Sequence, residues 1–338
     1  MRTYEVELAT RSIDGLSLRE RPSRAPRDGE VRVRLRAASL NFRDLLIAKG
    51  LYPVGGDFTR LVPVSDAAGE VIDVGPGVTR FAPGDRVVTS FFQGWLDGPL
   101  TYPAMNTSLG GAINGVLADE FVLSEQGLVA MPDAVSFDDA ATLPCAGVTA
   151  WHALVESGQV RAGQTVLLLG TGGVSIFGLQ IAKAKGARVI ITSSSDEKLA
   201  RAKAMGADGL INYKTTPDWE RQVLELTGGA GADHVLETGG AGTLPKSLQS
   251  VAIHGQVNII GVFTGLENKI DFLPVLIKTA RIQGIFVGSR AMLETLITEY
   301  ATRAIRPVID KVFGFEQALE AYHYMDAAQH FGKVLIRN

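Results

Sequence analysis

The 338-residue chain holds a single cysteine, Cys145. One thiol cannot close an internal disulfide, and it excludes any zinc site built from several cysteines. The five histidines, His152, His234, His254, His323 and His330, form no His-x-x-x-His or Cys-x-x-His pattern. Nothing in their spacing asks for a metal. Charge of one sign is equally scarce. The formal net charge is −3 and no basic stripe is present, so no field gathers nucleic acid or an anionic membrane. Long hydrophobic runs are missing: none reaches bilayer length, and no early segment joins a basic start, an apolar stretch and a small-residue cleavage site. A cytoplasmic location is the expectation. There are no internal repeats and no low-complexity tracts.

What is present is an ordinary globular composition, 46% hydrophobic with 38 glycines, at a length that predicts two domains. The first 120 residues read as short strands cut by turns. Met1–Ala9 and Val31–Ala37 alternate, Ala67–Val74 runs into Gly75-Pro76-Gly77, and Pro83-Gly84-Asp85 precedes the apolar Arg86–Ser90. This pattern fits a compact β-barrel-like module. Phe91–Asn114 has no period. Its Phe91, Phe92, Trp95, Leu96 and Tyr102 predict either an aromatic lid over a cleft or a flap packed on the barrel.

From about residue 160 the pattern changes. Strand-like runs at Thr165–Leu169, Arg188–Thr192, Gly209–Asn212, Asp233–Glu237, Gln256–Gly261 and Ile282–Val287 alternate with helical segments. Six short apolar strands with helices between them predict a doubly wound parallel sheet, covered on both faces. The tail holds helical stretches Met292–Thr302 and Phe315–Ala327 and a last strand, Gly332–Ile336. It breaks the alternation and is expected to return to the first domain. The resulting division is 1–120 with 289–338, and 121–288.

The segment Leu169-Gly170-Thr171-Gly172-Gly173-Val174-Ser175 ends the first of these strands and opens a helix. Gly170 allows a tight turn. Gly172 lets backbone approach a pyrophosphate, and the helix amino terminus beyond it offers unpaired N–H groups and a positive dipole end. This is the dinucleotide-binding fingerprint with one departure, Ser175 in place of the third glycine. At the end of the second strand, Ser193-Ser194-Ser195 stands where an acid would bind a ribose 2′-hydroxyl, and Lys198 follows one turn later. Hydroxyls and a cation favour a 2′-phosphate, hence NADPH over NADH. Asp196 would oppose this if it faced the ribose; a helix-capping role is expected for it.

With these residues in view, the chain resembles the medium-chain dehydrogenase/reductase superfamily. The landmarks are Ser39-Leu40-Asn41-Phe42-Arg43-Asp44, Asp66-Ala67-Ala68-Gly69-Glu70-Val71, Pro83-Gly84-Asp85-Arg86-Val87, Leu143-Pro144-Cys145-Ala146-Gly147-Val148-Thr149-Ala150, the glycine turn, Ala204-Met205-Gly206-Ala207-Asp208 and Gly332-Lys333-Val334. The resemblance implies a GroES-like catalytic domain made from both chain ends and an inserted Rossmann domain. Zinc-dependent members bind catalytic zinc through cysteine and histidine; here those positions hold Asn41, Ser65 and Cys145, and Phe91–Asn114 has none of the four cysteines of a structural zinc lobe. The chain therefore looks like the zinc-free branch, similar to quinone oxidoreductases and their alcohol dehydrogenase-like relatives.

Without a metal, negative charge developing on the substrate must be met by hydrogen bonds, which conjugated acceptors make easier. The expectation is NADPH-dependent hydride transfer to a quinone or an α,β-unsaturated carbonyl. A metal-free alcohol dehydrogenase or carbonyl reductase, a reductase of acyl chains in a biosynthetic assembly, and a non-catalytic dinucleotide or RNA binder are the alternatives. The resemblance nominates Asn41, Tyr52 and Thr149 around the reaction. Toward the cofactor it adds Tyr213, Gly239, Gly261, Val262, Phe263, Phe286, Gly288 and Lys333 to Gly170, Thr171, Gly172, Gly173, Val174, Ser194, Ser195 and Lys198. It also implies a homodimer, paired through Arg281–Val287.

Overall fold

The computed structural model describes residues 1–301 and 305–338. The chain packs as two units, one made of Met1–Val148 and the segments that follow Val287, the other of Thr149–Phe286. The first unit thus runs past the boundary expected at residue 120. The reason is pairing: Glu120–Ser124 bonds to Glu30–Ser39, and Leu128–Ala130 bonds to Arg86–Thr89.

In the first unit the strand Glu30–Ser39 is the organiser. Its alternation sends Val31, Val33 and Leu35 into the core and leaves Arg34 and Arg36 exposed. One edge pairs with Asp66–Val74 along its length. The other edge takes Glu120–Ser124 on its first half and the C-terminal strand Lys333–Arg337 on its second. The tail therefore returns to the first domain as expected. The antiparallel register pairs Leu335 with Ser39, so two residues further on Lys333 arrives beside Asn41. The helix expected at Met292–Thr302 spans Arg290–Ala301, and Thr302 lies outside the described residues.

The second unit is a six-stranded, wholly parallel sheet in the order Gly209–Asn212, Arg188–Ser193, Thr165–Leu168, Ala232–Glu237, Val251–Ile259, Arg281–Gly284. Strand order reverses next to Thr165–Leu168, where open α/β sheets take their ligands. Leu167, Ile190, Val235 and Val257 form its buried centre with Trp219, Val223 and Leu248 from the helices. The fifth strand begins at Val251, earlier than expected, because the preceding helix stops at Ser250. Among the described residues no helix is long and apolar enough to cross a membrane.

Candidate active site

The helix Gly173–Ala184 starts directly behind the strand Thr165–Leu168, with Gly172 as its N-cap. Gly170 has φ +74°, the left-handed region where a side chain is strained. Gly172 differs: its φ of −78° and ψ of −178° are extended backbone open to any residue. A Cβ built there would meet no atom of the chain within 4 Å. Nothing in the fold requires glycine at this position, so the space in front of it is kept for something else. Ser175 explains its own departure from the fingerprint. It is buried, and its hydroxyl donates to the Leu169 carbonyl at 2.7 Å. Close helix–strand packing is supplied one turn later by Gly178, where a Cβ would stand 2.9 Å from Leu236 Cδ2 and 3.0 Å from Leu168 Cδ2.

At the end of the second strand, Ser195 rather than Asp196 caps the next helix: its Oγ accepts the Lys198 N–H at 3.3 Å. Asp196 is exposed in the first turn, where its carboxylate accepts the Asn212 amide at 2.7 Å. The capping role expected for Asp196 is corrected accordingly. Tyr213, 42% exposed, bonds through its N–H to the Ser193 carbonyl at 3.1 Å. Ser194, Ser195, Lys198 and Tyr213 thus share one corner of the second unit.

Sequence reading missed Glu237. It is fully buried at the end of its strand, and Oε1 accepts from Gly239 N at 2.8 Å, Gly240 N at 2.9 Å and Thr243 Oγ1 at 2.6 Å. Thr264 Oγ1 donates to Gly239 O and accepts Gly242 N–H, both at 2.8 Å. The loops carrying Gly239 and Gly261–Phe263 are so locked together. The one clue in sequence was an acid directly after the apolar pair Val235-Leu236 at the end of the strand. Phe263 is 61% exposed and Phe286 37%. Thr149 is buried in the short helix Val148–Trp151, and Gly288 packs in the first unit against Val148 and Met292.

The first unit gathers Asn41, Ser65, Asp66, Cys145 and Lys333. Lys333 is 3% exposed, and its Nζ donates to Leu40 O and Asn41 Oδ1, both at 2.6 Å. Its ammonium thereby positions Asn41. Asn41 caps the helix Phe42–Ala48, and Asp44 Oδ2 accepts its N–H at 2.8 Å. With Oδ1 held by a cation, Asn41 presents Nδ2 as a donor. This atom makes no hydrogen bond of normal geometry, although the amide stands close enough to Asp66 to favour its carboxylate form. Asp66 is fully buried and accepts Ser65 Oγ at 2.6 Å and Cys145 N–H at 3.0 Å. Burial raises its carboxyl above the ordinary range and Lys333 opposes the rise. Burial, then the neighbouring Asp66, push the Cys145 thiol far up, so it stays protonated.

Arg43 lies beneath Tyr52, its guanidinium carbon 5.5 Å from that ring centre and 4.5 Å from that of Phe91, while Nη1 donates to Leu109 O at 2.7 Å. Burial raises the Tyr52 phenol above 10, with Arg43 pulling the other way. Asp44 is buried and its carboxyl is raised to about 6, chiefly by desolvation. A carboxyl raised on folding holds its proton in the native state where the unfolded chain has lost it. The associated stability is complete below about pH 4 and is lost as pH rises through about 6. Asp44→Asn keeps an oxygen for the Asn41 N–H and removes this loss. The variant is expected to be about 2–3 kcal/mol more stable than the parent at pH 7.5, and about half that at pH 5, by urea denaturation.

The aromatic lid is not formed. Phe91, Phe92 and Trp95 are buried in the first unit, with ring centres 4.7 Å apart for Phe91–Phe92 and 5.8 Å for Phe92–Trp95. Trp95 Nε1 donates to Gly98 O, and Trp95 O accepts Arg290 N–H. The loop is a packed flap, and only Tyr102 stands far out, 81% exposed.

Residues 27–133 match the family model described as alcohol dehydrogenase GroES-like domain, and residues 173–302 match the one described as zinc-binding dehydrogenase. A zinc-type alcohol dehydrogenase-like protein of Schizosaccharomyces pombe is 47% identical over 316 residues, 91% of each chain. A quinone oxidoreductase of Pseudomonas aeruginosa is 37% identical over 257 residues, 75% of this chain and 72% of that one. The solved structure of an NAD-dependent alcohol dehydrogenase aligns with a TM-score of 0.90 and 35% identity, covering 100% of both chains.

Proposed function

Since the chain belongs to the medium-chain dehydrogenase/reductase superfamily and is an NAD(P)-dependent oxidoreductase, we propose that it reduces quinones or α,β-unsaturated carbonyls with NADPH and without zinc. The observation that carries this reading is the Lys333 ammonium held by Asn41 Oδ1 and Leu40 O. Of the three residues at the zinc-ligand positions, Asn41 gives its oxygen to a cation, Ser65 gives its proton to Asp66, and Cys145 keeps its own. A dication beside that ammonium would be repelled, and an amide, a hydroxyl and one thiol are poor zinc ligands.

The dinucleotide, when bound, supplies the hydride. The open space before Gly172 and the helix amino terminus behind it suit its pyrophosphate, and Ser194, Ser195, Lys198 and Tyr213 suit an adenosine 2′-phosphate. Asn41 Nδ2, buried in this structure, is the donor we assign to a substrate oxygen. Lys333 draws electron density through Oδ1 and strengthens that donor. A conjugated acceptor spreads its developing charge, so one polarised amide suffices where a simple ketone would ask for a metal. Tyr52 keeps its proton at neutral pH and can give it to the reduced product.

The test is an acceptor panel of quinones, enones, thioester enones, ketones and alcohols run with NADPH and with NADH. The expected result is NADPH oxidation by quinones or enones at rates well above any alcohol oxidation. Activity confined to alcohols would transfer the reading to a metal-free alcohol dehydrogenase; the 47%-identical relative is itself named a zinc-type alcohol dehydrogenase-like protein.

The same reading includes a dimer. Arg281–Gly284 is the last strand of its sheet and leaves one edge unpaired. Ile282 within it is 37% exposed, and Phe272, Leu276 and Ile277, shortly before it in the chain, are 66%, 73% and 64% exposed, apolar side chains suited to covering by a second copy. Light scattering is expected to give twice the chain mass, and Ile282→Lys is expected to return it to the monomer.

A further inference from the structure

Arg43 is a buried cation without a carboxylate. The residue is 9% exposed in the helix Phe42–Ala48, and it forms no ion pair among the described residues. Asp44 follows it in the chain, but Asp44 Oδ2 accepts the Asn41 N–H and Oδ1 has no hydrogen-bond partner. A guanidinium out of water is costly when nothing opposite compensates it. Its neighbours therefore tell what the charge acts on.

The seat of Arg43 is neutral and is built largely by the flap Phe91–Asn114. Nη1 donates to Leu109 O at 2.7 Å, and the Phe91 ring centre lies 4.5 Å from Cζ. A Cβ at Gly111 would stand 2.0 Å from Nη2, so glycine there leaves the guanidinium its room. Tyr52 is the other neighbour, its ring centre 5.5 Å from Cζ. Phe91 is buried, whereas Tyr52 is half-buried and keeps part of its surface in solvent. Of the two rings, only that of Tyr52 has a proton to give.

Burial is the strongest influence on the Tyr52 phenol and keeps its proton on. Arg43 works against burial through its charge and its nearby N–H groups, while Cys145 and Asp44, which face the same phenol, act with burial. A phenolate formed there would have the Arg43 cation beside it.

We propose that Arg43 is the positioning residue for proton transfer from Tyr52: seated by Leu109, Phe91 and Gly111, it orients the ring and stabilises the phenolate left behind. Arg43 has this task only if Tyr52 is the proton donor of the enone or quinone reduction proposed above. In that reaction the acceptor gains a hydride, with its two electrons, from the dinucleotide. The anion so formed takes the proton of Tyr52 Oη, the phenol O–H bond breaking as the new bond to hydrogen forms. Water at the open side of Tyr52 then returns a proton to the phenolate. One hydride and one proton are added per turnover, and Arg43 itself gives up nothing. The packed flap thereby acquires a function that needs no lid.

The experiment compares Arg43→Met, Arg43→Lys, Tyr52→Phe and the double variant Arg43→Met/Tyr52→Phe, each checked for its fold by circular dichroism and thermal unfolding. With a conjugated acceptor, Arg43→Met is expected to lower kcat about 10- to 100-fold and to leave KM within about twofold. Arg43→Lys keeps the charge without the planar fork and is expected to stay within about fivefold of the parent. Once Tyr52 is phenylalanine, Arg43→Met is expected to cost less than about twofold more. The second readout needs no turnover. In protein labelled with fluorotyrosine, the fluorine resonance missing from Tyr52→Phe is that of Tyr52, and its titration follows the phenol directly. Arg43→Met is expected to raise its midpoint by about one pH unit, and Arg43→Lys to leave it near the parent. Equal kcat losses from Arg43→Met in both backgrounds, full turnover in Tyr52→Phe, or an unmoved midpoint would each overturn the proposal. Activity confined to alcohols would instead strike the enone and quinone reading, and the midpoint, measured on the free protein, would still decide whether Arg43 acts on Tyr52.

Discussion

Replacing Gly172 with valine is expected to leave the free protein at least as stable as its parent and to weaken NADPH binding at least about 100-fold. The first half follows from the backbone and the space. The residue is extended, a conformation that a β-branched side chain favours, and its Cβ would meet nothing in the chain. Removing glycine also narrows the unfolded ensemble, which adds a few tenths of a kcal/mol to stability. The second half follows from the helix amino terminus. Valine would hold a pyrophosphate away from the first N–H groups of Gly173–Ala184. Losing two charge-assisted hydrogen bonds costs about 3–6 kcal/mol, or two to four decades in the dissociation constant. Fluorescence titration with NADPH and thermal unfolding of the free protein read the two halves separately. Gly170→Ala is the control, because φ +74° makes that change a loss of stability as well. An undiminished NADPH affinity in Gly172→Val would remove the glycine turn from the cofactor site.

The contrast between Gly170 and Gly172 marks what a sequence can and cannot carry. Both read as necessary glycines in one motif, but only the first is required by the fold itself. The six-strand alternation, the turn and the return of the tail were legible because each is local: a short apolar run, a breaker, a helical spacing. The strand boundaries moved where neighbours decided them, as at Val251, which pairs with Ala232 well ahead of the regular register at Gln256.

The departures have one physical source, partners distant in the chain. Lys333 carries no mark of its role, since its place beside Asn41 depends on an antiparallel register between residues 292 positions apart. Phe91, Phe92 and Trp95 suggest a lid in composition, yet burial is set by what surrounds them, and here they fill the first unit. Ser195 and Asp196 are both good N-cap residues, and the choice between them rests on Asn212, which takes the Asp196 carboxylate from another strand end. Glu237 belongs to the same class, an acid whose partners are N–H groups that exist as a cradle only after the loop closes over it.

Lys333→Met is expected to lower kcat about 100- to 1,000-fold and to destabilise the protein by about 3–5 kcal/mol. Two separate consequences of one ammonium are involved. The stability loss comes from Asp66, fully buried, whose opposing cation disappears, and from Leu40 O and Asn41 Oδ1, which lose their donor. Because burial already raises the Asp66 carboxyl, removing Lys333 raises it further. A folded-state value above the unfolded one means stability present at low pH and lost as pH rises, so the deficit should be larger at pH 8 than at pH 5. The kinetic loss comes from Asn41, whose amide is no longer oriented or polarised. Asp66→Asn combined with Lys333→Met separates the two. In the double variant the new amide can accept from Cys145 N–H through its oxygen and donate to Ser65 Oγ through its nitrogen, which leaves no buried charge. Most of the stability should return, and its pH slope should flatten, while kcat stays low. Recovery of turnover together with stability would show that Lys333 serves only to neutralise Asp66, and Asn41 would then need no cation behind it.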